Sequence, residues 1–299
     1  MKITTITASL LLVLGAVSAS SAATVEGFAK GRVDRDYGDL PAGVPLMSSF
    51  YFRYHKSGGA VDHHINAISV KPDPENGTVA LMYQDKNRDD TYFYKASLDS
   101  IPSSSVIRGS IADVGCTGKC ERTLSPPGSG YLFVLTGFQV NFTGGRDHHV
   151  DEIAVFEDEG VLTVMLNDKN DDDVFAYSVD YAWVSPTVFL NSGASRGTNN
   201  GGVAVSLPTG RHVVRGFHFN YLSGDHHLRE IGALTSGSRL DVYYGDKNGD
   251  DLFSWEVRWA TLKPRGPGTG PVAPIGPVAP SKQGMQFTAP LQGAFTLAR

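Results

Sequence analysis

Three pairs of alternating segments set the pattern of this chain. Tyr92, Tyr94, Ala96 and Leu98 fall at every second position, as do Phe175, Tyr177, Val179 and Tyr181, and then Phe253, Trp255, Val257 and Trp259. Upstream of each run lies another: Val79, Leu81 and Tyr83; Leu162, Val164 and Leu166; Leu240, Val242 and Tyr244. A period of two puts such residues on one face of a β-strand. The two runs of each pair are joined by the same polar segment, D-K-N-x-D-D, so each pair reads as a hairpin with one apolar face. The aromatics on that face are assigned to the core, given the area they must bury.

The pattern is part of a threefold internal repeat. Ser49 to Leu98 carries FYFRY, DHHINAI and DKNRDDTYFY; Gly137 to Tyr181 carries GFQVNF, DHHVDEI and DKNDDDVFAY; Gly216 to Trp259 carries GFHFNY, DHHLREI and DKNGDDLFSW. From the first Asp of D-H-H to the first Asp of D-K-N-x-D-D the separations are 23, 21 and 21 residues. A strand of ~8 residues, a turn of ~4 to 6 and a returning strand of ~7 account for them. Both signatures then lie at one end of a sheet, where the strands ending at Tyr54, Phe142 and Tyr221 also finish. The expected fold is all-β: three tandem or pseudo-threefold antiparallel units, sandwich-like or prism- or propeller-like, over residues 24–102, 103–185 and 186–262. The stretch from Thr24 to Met47 reads as the lead-in strands of the first unit.

The N-terminal stretch leads to an expected location outside the cytoplasm. Met1-Lys2, the apolar run Leu10 to Val17 and the small residues Ser18 to Ala23 read as a signal peptide over residues 1–23. The mature protein is expected to be secreted, extracellular or periplasmic. No stretch approaches the ~20 apolar residues of a spanning helix, so no transmembrane segment is expected. Cys116 and Cys120 are then expected to form a short-range disulfide, a two-cysteine metal site being the weaker alternative. Residues 263–281 are a Pro/Gly-rich linker, and residues 282–299 a tail that ranks first as disordered. The formal net charge of −5, without a Lys/Arg cluster, argues against nucleic acid as a partner. G-x-S-x-G at Gly193 to Gly197 is not a nucleophile elbow, because Thr198 to Gly202 reads as a loop and not as a helix.

The chemistry lies in the two signatures. D-K-N-x-D-D supplies Asp85, Asn87, Asp89 and Asp90, then Asp168, Asn170, Asp172 and Asp173, then Asp246, Asn248, Asp250 and Asp251. Such hard oxygen donors suit Ca²⁺, although the loops lack the Gly and Glu of an EF-hand; the plainer reading is an Asx-stabilised turn. D-H-H supplies Asp62, His63 and His64, then Asp147, His148 and His149, then Asp225, His226 and His227, as further ligands or as a polar network. Three arrangements are open for the histidines. First in order is a hydrogen-bonding role beside the Asp loops. Next comes a mixed His and Asp site in each repeat for Zn²⁺ or another transition metal. Last is one three-histidine site on a pseudo-threefold axis, because nothing in the sequence shows such an axis to be closed.

The functional expectation is a secreted or cell-envelope binding protein with three cation-supported loops, recognising a glycan or another surface ligand. A Zn²⁺-dependent hydrolase using the D-H-H histidines is the enzyme alternative, and a structural repeat protein the third.

Overall fold

A computed structural model describes residues 22–38, 40, 43–55, 64–86, 90–144, 149–169, 173–223, 227–247 and 251–264. Each repeat contributes six strands. The first has β1 (Ala22–Lys30), β2 (Val33–Asp36), β3 (Val44–Tyr54), β4 (Ile65–Asp73), β5 (Thr78–Asp85) and β6 (Thr91–Ile101). The second has β7 (Val106–Thr117), β8 (Lys119–Thr123), β9 (Leu132–Phe142), β10 (Val150–Asp158), β11 (Val161–Asp168) and β12 (Val174–Val184). The third has β13 (Phe189–Asn200), β14 (Val203–Ser206), β15 (Arg211–Tyr221), β16 (Leu228–Ser236), β17 (Arg239–Asp246) and β18 (Leu252–Leu262). Short 3₁₀ turns at Ser103–Ser105 and Pro186–Val188 stand between the repeats. No helix among the described residues is long and apolar enough to cross a membrane.

The strands form three six-stranded antiparallel sheets, and each sheet mixes two repeats. The first is ordered β1-β6-β3-β16-β17-β14, the second β2-β5-β4-β9-β12-β7 and the third β13-β18-β15-β10-β11-β8. This corrects the hairpin assigned across D-K-N-x-D-D. β5 pairs with β4 and β2 while β6 pairs with β1 and β3, so the acidic loop carries the chain from one sheet to another. The same holds for β11 and β12 and for β17 and β18. The actual hairpins are β4–β5, β10–β11 and β16–β17. Their turns hold Gly77, Gly160 and Gly237 at φ +67, +83 and +59, where an L-residue would be strained.

Alternation directs the inward side chains as the sequence implied. Tyr92, Tyr94, Phe175, Tyr177, Phe253 and Trp255 are all buried, while Tyr181 and Trp259 are only half-buried. Gly193-Ala194-Ser195-Arg196-Gly197 lies within strand β13, and Thr198 to Asn200 finish that strand, so only Gly201 and Gly202 of the segment read as a loop lie outside the sheet. Its small residues are needed for indole packing: a Cβ on Gly193 would come 2.9 Å from the Trp259 ring and one on Gly197 3.0 Å from Trp255. Trp255 donates its Nε1–H to Asn199 Oδ1 at 3.0 Å, and Trp259 donates to Ser195 Oγ at 3.1 Å.

One apolar cluster draws on all three sheets. Strands β3, β9 and β15, one per sheet, meet at its middle through Phe50, Phe138 and Phe217. Their ring centroids lie 5.4, 4.9 and 5.0 Å apart, with all three side chains almost wholly excluded from solvent. A smaller cluster that includes Leu46, Val134, Val213, Val184 and Leu262 lies toward the starts of these three strands. Cys116 and Cys120 are disulfide-bonded across the β7–β8 corner, which settles the two cysteines as a bridge and removes them as metal ligands.

Candidate metal centre

His64, His149 and His227 immediately precede β4, β10 and β16, which belong to the second, third and first sheets. In each copy the histidine carbonyl accepts a hydrogen bond from the amide of the lysine in D-K-N-x-D-D. Lys86 to His64, Lys169 to His149 and Lys247 to His227 are all 2.9 Å. The two signatures are therefore locked together at one end of the molecule, as their spacing suggested.

The three imidazoles converge. Ring centroids are 4.6 Å apart for His64 and His149, 4.5 Å for His149 and His227, and 5.4 Å for His64 and His227. One ring nitrogen from each lies within 4.8 Å of the other two. Tetrahedral coordination at ~2.0–2.1 Å per bond separates ligand nitrogens by about 3.3 Å, so modest ring rotations would bring this set onto one ion. Among the described residues this is the one group of three His, Cys, Asp or Glu side chains drawn together at such distances. It corresponds to the arrangement that ranked last from sequence.

A β-bulge recurs just beyond each histidine, between Ile65 and Ala67, Val150 and Glu152, and Leu228 and Glu230. The extra residue lets Ile65 and Ile68 both face the core, which strict alternation forbids. Sequence parity alone therefore could not orient these side chains.

The strand ends beside the histidines carry buried carboxylates. Asp85, Asp168 and Asp246 end β5, β11 and β17 opposite Ile65, Val150 and Leu228, and are only 2, 2 and 3 % exposed. Asp251 is also buried, whereas Asp90 and Asp173 are half-buried. Tyr54 and Tyr221 face these carboxylates. Burial pushes both hydroxyls well above the ordinary tyrosine range; Tyr83, Asp85 and Asp90 add to the effect at Tyr54, and Tyr244, Tyr83, Asp246 and Asp251 at Tyr221. The second repeat has Phe142 here and contributes no hydroxyl.

Two more buried tyrosines brace the histidine-bearing strands across repeats. Tyr83 donates to the Leu228 carbonyl at 3.2 Å and Tyr244 to the Asp151 carbonyl at 3.5 Å. Leu166, the third member of the set, has no such group. The other sequence candidates, Asp62, His63, Asn87, Asp89, Asp147, His148, Asn170, Asp172, Asp225, His226, Asn248 and Asp250, lie outside the described residues, as do residues 1–21 and 265–299. Neither a protein-family model nor a curated protein matches this chain, so the chemistry of the site must be argued from its own residues.

Proposed function

We propose that the protein is a secreted binding protein whose three repeats, related by a pseudo-threefold axis, close on a single transition-metal centre of the Zn²⁺ class. What carries the reading is the approach of one ring nitrogen each from His64, His149 and His227 to within 4.8 Å of one another. Neutral imidazole nitrogen is a preferred Zn²⁺ donor. The lysine amides bonded to the histidine carbonyls, together with Tyr83 and Tyr244, fix the backbone from which the rings project. Such support outside the ligand set keeps ligands oriented. The ion would tie the three repeats together at the loop end, where the ligand-recognising surface of a binding protein would be held. The Ca²⁺ role of the acidic loops is retained as a separate proposal, with an expected stoichiometry of three against one for the histidine centre.

A hydrolase is the second reading, favoured by one observation. A three-histidine set leaves a position for water on a tetrahedral ion, as catalytic zinc requires. In that case Asp85, Asp168 or Asp246 would be the candidate base.

Titration of chelator-stripped full-length protein with Zn²⁺, Co²⁺ and Ca²⁺ tests the proposal. One Zn²⁺ per chain is expected, with Co²⁺ giving the visible bands of a tetrahedral site and His149→Ala or His227→Ala abolishing both. Uptake unaffected by either substitution, or no uptake at neutral pH, would reject the centre. Hydrolysis of an activated ester by the zinc-loaded protein, lost in His149→Ala, would move the assignment to the enzyme.

A further inference from the structure

The outer faces of the three sheets differ at matching positions. On the first sheet, Phe28 of β1 lies opposite Phe93 of β6, and Tyr51 of β3 and Tyr243 of β17 lie on either side of Gly232 in β16. The rings form a continuous row: centroids are 5.4 Å apart for Phe28 and Phe93, 6.1 Å for Phe93 and Tyr51, and 4.7 Å for Tyr51 and Tyr243. Phe28 is 54 % exposed, and Phe93 and Tyr243 are half-exposed. Gly232 makes the last contact possible. A Cβ there would lie 2.9 Å from the Tyr51 ring and 2.6 Å from the Phe50 carbonyl oxygen. The ring separations bound the distance from the Phe28 ring to the Tyr243 ring at about 16 Å, across five strands spaced ~4.8 Å apart.

Nothing in the shared fold requires this row. On the second sheet Val114, Ala176, Gln139, Ser69 and Met82 occupy the matching positions, and on the third sheet Thr198, Ser254, His218, Ala154 and Met165. The scaffold stands twice without Phe, Tyr or Trp there, His218 being the one ring at these positions.

The charges beside the row cancel in pairs. Lys95 meets Glu26 at 2.9 Å, Arg239 meets Asp241 at 2.6 Å, and Glu230 lies 3.6 Å from Arg53 while accepting the Tyr51 hydroxyl at 2.8 Å. Among the described residues Lys30, exposed at the β1 end two residues from Phe28, is the one charge on this strand face outside such a pair. The row is one ring wide and its rings are partly embedded, so it falls well short of the ~800 Å² per partner that a stable protein interface buries. A ligand that suits it is long, narrow and uncharged, with apolar faces to lie on rings and hydroxyls to meet Glu230, Arg53 and Lys95 at the margin.

We infer that the outer face of the first sheet is a stacking platform for a neutral polysaccharide, running across the strands from Phe28 to Tyr243. This rests on the binding-protein reading and gives its ligand class, but does not depend on the metal. The C–H faces of pyranose rings lie on the exposed rings of Phe28, Phe93 and Tyr243, with the buried Tyr51 ring supporting them between Phe93 and Tyr243, and ring hydroxyls exchange hydrogen bonds with the paired acids and bases.

The test is retention of the full-length protein by microcrystalline cellulose, chitin and a soluble neutral β-glucan, with alginate as the acidic control. Retention by at least one neutral polymer is expected, little changed by salt. Phe28→Ala and Tyr243→Ala should each weaken it by about three- to tenfold, the scale of one aromatic contact. Phe28 is exposed enough that its removal leaves the fold intact, and thermal melting of each variant verifies this. Retention only by alginate, none by any of these polymers, or affinities unchanged in both variants would overturn the platform. Each binding measurement is repeated after chelation. Platform binding that survives alongside failed Zn²⁺ uptake would sink the metal centre alone, and the converse result would sink the platform alone.

Discussion

Replacing Phe138 by alanine probes whether the three sheets share one core. The side chain is wholly excluded from solvent and touches Phe50 and Phe217, each from a different sheet and a different repeat. A buried phenylalanine removes ~150–250 Å² from water, worth ~4–6 kcal/mol at ~25 cal/mol per Å². Alanine recovers part of that, and the closely packed surroundings cannot fully collapse into the space, so the expected cost is about 4 kcal/mol. Phe217→Ala should cost a similar amount. The two rings touch, so the double variant should depart from additivity by about 0.5–1.5 kcal/mol. Guanidinium unfolding followed by tryptophan fluorescence and by circular dichroism measures all three. Because the apolar cluster is continuous across repeats, the transitions should coincide. A cost under about 1 kcal/mol, strict additivity, or separate transitions for different repeats would refute the shared core.

Two further predictions concern stability. Burial holds Tyr54, Tyr83, Tyr221 and Tyr244 well above the ordinary tyrosine range. Below about pH 10 both folded and unfolded chains keep these protons, so their contribution is fully present; above it the unfolded chain loses them first. Stability should fall by about 1.4 kcal/mol per tyrosine for each pH unit until the folded hydroxyls ionise. Denaturant midpoints measured up to alkaline pH test this, and ionisation of these tyrosines near pH 10 without unfolding would contradict it. Changing Cys116 and Cys120 together to serine should cost about 2 kcal/mol, since the bridge closes a loop of only about five residues. Calorimetry showing no loss would mean that the corner is fixed by its strands alone.

The strands were legible because their inward positions alternate without interruption, as in Val79, Leu81 and Tyr83. Their partners were not. Alternation in β5 and β6 is the same whether the two strands face each other in a hairpin or lie in separate sheets, and a pairing such as β3 with β16 leaves no local trace. One signal did distinguish the cases. Gly77, Gly160 and Gly237 mark tight turns between β4 and β5, β10 and β11, and β16 and β17, whereas D-K-N-x-D-D carries no glycine at a fixed position. The histidine set was recoverable as three copies of one residue at one register. Its convergence depends on closing the sheets across repeats, which is a property of long-range pairing. The aromatic row of the first sheet went unread because Phe28, Phe93, Tyr51 and Tyr243 are scattered through the sequence, and only strand order aligns them.

The pairing of β3 with β16 dictates the order in which the molecule can be finished. Phe50 is matched to Ala233, so the first repeat leaves one flank of β3 open until most of the third repeat has been made. A chain synthesised or exported from its N-terminus must carry that open edge throughout, and a truncated product ending after two repeats would carry it permanently. Open strand edges recruit other chains, and contacts so distant in sequence form slowly. The protein is therefore tied to production as an intact chain. Its vulnerable period is the interval before the last strands arrive, when a protein that holds exposed edges would have most to do.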